Sequence, residues 1–222
     1  MIIPFNHTFS MILAGPSRSG KTVWTKKLID NANKMISPPP ERIVYCYSEW
    51  QNLFNQYRNV EFHQGIIDVA QLHKDVKNLV IVDDLISDIN QNMEDIFTKH
   101  SHHRNISIVF ITQNLFLNSG HMRTMSRSAS YIVVFKNPRD VNQITYLARQ
   151  MFPSKQGSFV SEVFTDATSV PYGYLLIDYR QETNDLLRLR TGVFPDEKCY
   201  IYIPKKQTNS LQRFKPESVE LL

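Results

Sequence analysis

Apolar residues in this chain fall in short, dense runs separated by polar punctuation. "FSMILAG" (Phe9–Gly15), "RIVYCYS" (Arg42–Ser48), "NLVIVDDL" (Asn78–Leu85), "ISIVFITQN" (Ile106–Asn114) and "YIVVFK" (Tyr131–Lys136) are nearly continuous in apolar residues. Runs of this length, rich in β-branched and aromatic side chains, predict strands buried on both faces. The segments between them have helical spacing. Val23, Trp24, Leu28, Ala32 and Met35 predict a helix after Lys21, ended by the prolines of "SPPPE". "NMEDIFTKH" reads as helical. "NPRDVNQITYLARQMF" predicts a helix with Asn137 as cap, Pro138 in its first turn, and a stripe of Val141, Ile144, Leu147, Ala148 and Met151. Residues 49–77 read as a short helix near "WQNLFNQY" and two mixed segments without firm boundaries. "YGYLLIDYR", "LLRLRTGVF" and "CYIYIP" alternate more, and predict antiparallel strands or a hairpin on the sheet edge. Residues 205–222 are polar at first and read as a tail or docking arm beyond a single domain of residues 1–204.

Buried strands alternating with helices predict an α/β fold: a mostly parallel central sheet with helices on both faces and an antiparallel C-terminal edge. In such sheets ligands bind beyond the C-terminal strand ends. Four polar clusters fall there, namely "GPSRSGKT", the acids of "VIVDD", "QN" and "KNPRD". Composition adds little. Of 222 residues, 42% are hydrophobic and 21% charged, as in ordinary globular chains. The net charge of +4 is compatible with a nucleic-acid partner, but many domains reach it without one. No apolar run approaches the roughly 20 residues that span a bilayer, so no membrane segment is expected. The N-terminus lacks a basic stretch before its apolar residues, so no signal peptide is expected either. Cys46 and Cys199 have no CxxC partner or metal-ligand spacing and read as reduced thiols.

The chemistry begins at "GPSRSGKT" (Gly15, Pro16, Ser17, Arg18, Ser19, Gly20, Lys21, Thr22). Glycines let a loop turn its backbone amides inward onto phosphates. Lys21 would reach the β- and γ-phosphates of ATP, and Thr22 would ligate Mg2+. The following helix offers its positive end. Arg18 reads as solvent-facing or on a phosphate. Asp83 ends a buried strand and is assigned to Mg2+; Asp84 beside it is assigned to orienting the attacking water. The alternative for Asp84 is a helix cap or a solvated loop acid, and Glu49 is the fallback acid. Gln113, at another strand end, would bond both the γ-phosphate and the water. Arg139 is the first candidate for an arginine completing a neighbour's site, with Arg104, Arg123 and Arg127 as others. His100, His102 and His103 of "HSHHRN" lack a fourth ligand at zinc spacing and read as a polar loop.

The order GPSRSGKT, VIVDD, SHHRN, ISIVFITQN, FKNPRD resembles the FtsK–HerA superfamily of P-loop ATPases. More narrowly it resembles the viral genome-packaging ATPases of poxvirus type found in adintoviruses and Polinton-like elements, over roughly residues 9–180. The resemblance implies a RecA-like core that assembles into a hexameric or pentameric ring and pumps double-stranded DNA into a capsid. It implies viral capsid proteins as partners and a location inside the host cell, nuclear or cytoplasmic, at sites of virion assembly or on the virion. It carries nucleotide-binding roles to Gly15, Gly20, Lys21, Thr22, Asp83 and Gln113, and a role in trans to Arg139. Many hydrolytic P-loop proteins have glutamate where Asp84 stands. Residues 115–130, polar, basic and glycine-containing, are the candidate DNA-gripping loop. The competing readings are a small-molecule or nucleoside kinase, against which stands the lack of an arginine-rich lid, and a nucleotide switch, against which stands the lack of an NKxD-like motif.

Overall fold

The structure, a computed structural model, describes residues 2–85, 89–100, 104–115, 119–139, 142–151, 157–204 and 211–214. The strands are β1 (Phe5–Asn6), β2 (Ser10–Ala14), β3 (Ile36–Ser37), β4 (Arg42–Tyr47), β5 (Glu61–Gln64), β6 (Asn78–Asp83), β7 (Ile106–Thr112), β8 (Tyr131–Phe135), β9 (Tyr174–Asp178), β10 (Leu189–Thr191), β11 (Tyr200–Pro204) and β12 (Leu211–Phe214). The α-helices are α1 (Lys21–Asp30), α2 (Ala32–Met35), α3 (Gln91–Asp95), which continues as a π-helical turn over Ile96–His100, α4 (Gly120–Ser128), α5 (Asn142–Met151) and α6 (Gly157–Ala167).

The ten-stranded sheet has the order β12-β11-β10-β9-β8-β2-β7-β6-β4-β5. From β5 to β8 every pairing is parallel, and from β8 to β12 every pairing is antiparallel. The two-stranded β1–β3 ribbon stands apart. Strand β2 lies between β7 and β8. The chain leaves β2 toward one side of the sheet and later crosses to the other, so a topological switch point lies at its C-terminal end, where such folds bind ligands.

Alternation within the strands sorts the core into two layers. Met11, Leu13, Leu79, Ile81, Val109, Ile111 and Val133 face α1 and α2 through Trp24, Leu28, Ile29, Ala32 and Met35. Their neighbours Ile12, Val80, Val82, Ile108, Phe110, Ile132 and Val134 face α4, α5 and α6 through Met122, Met125, Ile144, Leu147, Phe159 and Val163. The expected α/β sheet, covered on both faces, is the observed one.

Local boundaries differ from expectation in four places. The helix after Lys21 breaks at Asn31, whose amide nitrogen donates to Lys27 O, and Ile36–Ser37 then pairs with Phe5–Asn6 ahead of the prolines. Asn137 closes a turn by accepting from the Arg139 amide at 3.1 Å, and α5 is described from Asn142 onward. In the segment read as a polar tail, Leu211–Phe214 pairs with β11 as the edge strand β12. Residues 120–128 of the candidate DNA loop form helix α4, because Met122, Met125 and Ala129 make an apolar stripe that packs on the sheet.

Candidate functional site

The phosphate loop runs from the end of β2 into α1, with its shape fixed at both ends. A side chain at Gly15 would meet Phe135 Cβ at 2.7 Å and Ser19 Oγ at 2.8 Å, so only glycine fits. The Gly15 amide donates to Thr112 O at 3.2 Å, tying the loop to the end of β7. Arg18 (φ 64°) and Gly20 (φ 106°) are both left-handed. That conformation curls the backbone so that successive amides converge, the geometry of an anion cradle. Gly20 then leads into α1, whose first-turn amides have no partners within the helix.

Lys21 bends back over its own loop, and its Nζ donates to Gly15 O at 2.5 Å and Pro16 O at 2.9 Å. Burial lowers its pKa, while Asp83 and Asp84 act to raise it. Ser19 Oγ is buried without a hydrogen-bond partner among the described residues. A loop that holds its lysine on its own carbonyls and keeps an orphan hydroxyl fits a polyphosphate.

Ser17, Arg18, Lys21 and Thr22 share one cavity of about 220 Å3 with Asp83, Asp84 and Gln113. Asp83 is 8% exposed and accepts from Tyr45 Oη at 2.7 Å. Burial pushes its carboxyl above the usual carboxylate range; the Tyr45 hydrogen bond and Lys21 pull it down, and Asp84 pushes it up. Burial and the Asp83 charge together push the Tyr45 hydroxyl far above its ordinary range, so it stays a donor. Asp84 is exposed, in a left-handed conformation (φ 56°) that ends β6 sharply. Gln113 is exposed just past β7, where Thr112 Oγ1 donates to Asn114 O and accepts from the Asn114 amide. For Mg2+, the Thr22 hydroxyl and the Asp83 carboxylate open onto the same space. A hydroxyl, one or two carboxylates and substrate phosphates form the donor set Mg2+ prefers. Among the described residues, no group of three His, Cys, Asp or Glu could hold a metal. His102 and His103 lie outside the described residues.

Three residues in this region escaped the sequence reading. Gln51 lines the cavity from the loop after β4, whereas the fallback acid Glu49 does not. Thr112 lines it from β7. Tyr45, inside an apolar strand, gave no sign of holding Asp83, because that contact exists only through the β4–β6 pairing. The candidate arginines do not line this cavity. Arg139 sits in the exposed turn after β8. Arg104 precedes β7 and reaches Val69 O at 3.5 Å. Arg123 and Arg127 are exposed on α4, which His121 and Glu94 join to α3 at 2.6 Å. Both cysteines are free; burial pushes the Cys46 thiol up to about 11.

Comparisons with known proteins agree with this architecture. The crystal structure of B204, described as the DNA-packaging ATPase from Sulfolobus Turreted Icosahedral Virus, superposes with a TM-score of 0.53 at 14% identity. The match covers 81% of this chain and 96% of B204. The fold is that of a RecA-like P-loop NTPase. The genome-packaging NTPase B204 of Sulfolobus turreted icosahedral virus 2, in complex with AMPPCP, gives a TM-score of 0.52 at 12% identity, over 79% of this chain and 95% of that one. A family model described as RNA helicase matches residues 11–115, from β2 through the strand end carrying Gln113. No curated protein matches by sequence.

Proposed function

We propose that this chain is the ATPase of a viral genome-packaging motor, moving double-stranded DNA into a capsid as a homo-oligomeric ring of five or six subunits. The observation that carries the reading is the single cavity joining Lys21 and Thr22 to Asp83, Asp84 and Gln113. That set joins a polyphosphate cradle to carboxylates and an amide able to position water. The fold shared with B204, whose structures are described as a packaging ATPase and NTPase, supports the packaging reading. The resemblance in FITQN and FKNPRD supports it independently.

In this reading Lys21 leaves the Gly15 and Pro16 carbonyls for the β- and γ-phosphates, and the loop amides take the remaining oxygens. Thr22 and Asp83 would hold Mg2+, which when bound would supply charge neutralisation on the phosphates. Asp84 accepts a proton from the attacking water. Gln113 donates to the γ-phosphate and orients that water. Arg139 reaches the nucleotide of the adjacent subunit. The work is done inside the host cell, in nucleus or cytoplasm, where virions assemble.

A second reading, a nucleic-acid helicase, is favoured by the family match over residues 11–115. The kinase and switch readings have no comparable support. One assay separates them: ATPase rate with no nucleic acid, with double-stranded DNA and with RNA, together with unwinding of a short duplex. The packaging reading expects stimulation by double-stranded DNA without strand separation, lost in Lys21→Ala. Stimulation by RNA with unwinding would favour the helicase. Phosphate transfer to a small acceptor, indifferent to nucleic acid, would overturn both.

A further inference from the structure

The phosphate loop borders a second cavity, on the flank away from Asp83. Gly20 and Val23 line it together with the turn at residues 169–173, and its volume is about 750 Å3, within the range of small-molecule pockets. Three of the large apolar side chains that the fold leaves exposed stand on its walls: Val23 at 59%, Val170 at 62% and Tyr172 at 71%. Tyr172 is the decisive one. Its backbone is left-handed (φ 61°), an uncommon state for an aromatic residue. Its ring lies against the loop: a Cβ on Gly20 would be 3.3 Å from both Cβ and Cδ1 of Tyr172. The turn behind it is fixed, since Gly173 donates to Val170 O at 3.0 Å and a side chain at Gly173 would strike Ala167 O at 2.5 Å.

Several of the polar groups on the walls are already committed. Lys27 pairs with Asp196 and Glu197, Glu197 accepts from Tyr174 Oη, and Thr191 Oγ1 donates to Tyr174 O. The cavity therefore offers an exposed aromatic face and aliphatic walls immediately beside a phosphate cradle. A ligand that fits has a flat apolar ring at one end and a polyphosphate at the other.

We infer that Tyr172, Val23 and Val170 form the nucleoside site of this chain, with the base stacked on the Tyr172 ring and the phosphates passing over Gly20 toward Asp83. This rests on the reading of Gly15–Thr22 as a phosphate loop and assigns the other half of the same ligand. An Arg18, Ser19 and Lys136 pocket bordered by the same turn adds cationic surface beside the passage.

The test is calorimetric titration of the full chain with AMPPCP and, separately, with inorganic tripolyphosphate. Tyr172→Ala should weaken AMPPCP about tenfold, within the range of one base–aromatic stack, and leave tripolyphosphate unchanged. Tyr172→Phe should bind AMPPCP within about twofold of the parent, because stacking needs only the ring. Val170→Ser should give a smaller loss of the same kind. Lys21→Ala should weaken both ligands. If Tyr172→Ala leaves AMPPCP unchanged while Lys21→Ala weakens it, the nucleoside site is overturned and the phosphate loop stands. If Tyr172→Ala weakens both ligands equally, the residue shapes the loop instead, and the inference falls. If Lys21→Ala alters neither, the phosphate loop fails and the nucleoside site with it.

Discussion

Asp83 shows how the site sets function against stability. Its carboxyl is buried at the end of β6 and held by one Tyr45 hydrogen bond. A folded-state pKa raised by burial means that the fold loses stability as pH rises from the ordinary carboxylate value through the raised one. Below the ordinary carboxylate range both folded and unfolded chains carry the proton, and the penalty is gone. Asp83→Asn keeps an acceptor for Tyr45 and removes the charge. It should abolish ATP hydrolysis yet raise the melting temperature at neutral pH, at about 2–4 °C per kcal/mol for a chain of this size. The gain should shrink as pH falls toward about 4 and be gone below it. A melting temperature lower than the parent's at pH 7 would refute this account.

At the scale of elements, a buried ion pair joins two neighbouring strands of the antiparallel extension. Arg190 on β10 donates to Asp178 on β9 at 2.9 Å, and the two are 1% and 3% exposed. Arg190 Nε and Nη1 are buried without partners among the described residues, so the pair is not fully compensated there. Asp178 also accepts from the Arg180 amide and from Thr183 Oγ1. Asp178→Ala strands a buried guanidinium and should cost about 3–5 kcal/mol in urea unfolding. Arg190→Met leaves Asp178 with its remaining donors and fills similar volume, so it should cost well under half of that. Equal losses would show that packing, not the stranded charge, dominates. Helix α1 is a simpler case. Leu28, fully buried beneath the phosphate loop's helix, should cost about 2–5 kcal/mol as Leu28→Ala.

For the whole molecule, the proposed ring makes Arg139 a testable component. It stands exposed after β8, outside its own phosphate cavity, as a residue serving a neighbour would. Arg139→Ala and Lys21→Ala subunits, each inactive alone, should recover part of the ATPase rate when mixed. Some mixed interfaces then pair an intact loop with an intact arginine. No recovery at any mixing ratio would remove Arg139 from the mechanism. The same mixing with Arg104, Arg123 or Arg127 substituted assigns the role by elimination.

The sequence by itself determined the parallel core and placed most of the residues that share the candidate phosphate cavity. Buried strands announce themselves by unbroken apolar runs. The loop needs glycine and lysine at fixed spacing, and Asp83 and Gln113 had to stand where apolar runs end. These are local requirements, so local pattern carries them. Strand order, and everything that depends on it, was decided only in three dimensions. Tyr45 meets Asp83 because β4 pairs with β6, and Gln51 enters the cavity because the loop after β4 folds over it. Tyr172 meets Gly20 across a separation of well over a hundred residues, through a turn between α6 and β9. Helix α4 and strand β12 are not legible in the sequence for the same reason: two methionines at helical spacing and four residues of edge strand gain their stability from the surface they pack on. The residues proposed to cradle phosphate are written in one stretch of chain. Those that hold the carboxylate, and those inferred to hold the base, are brought to it by the sheet.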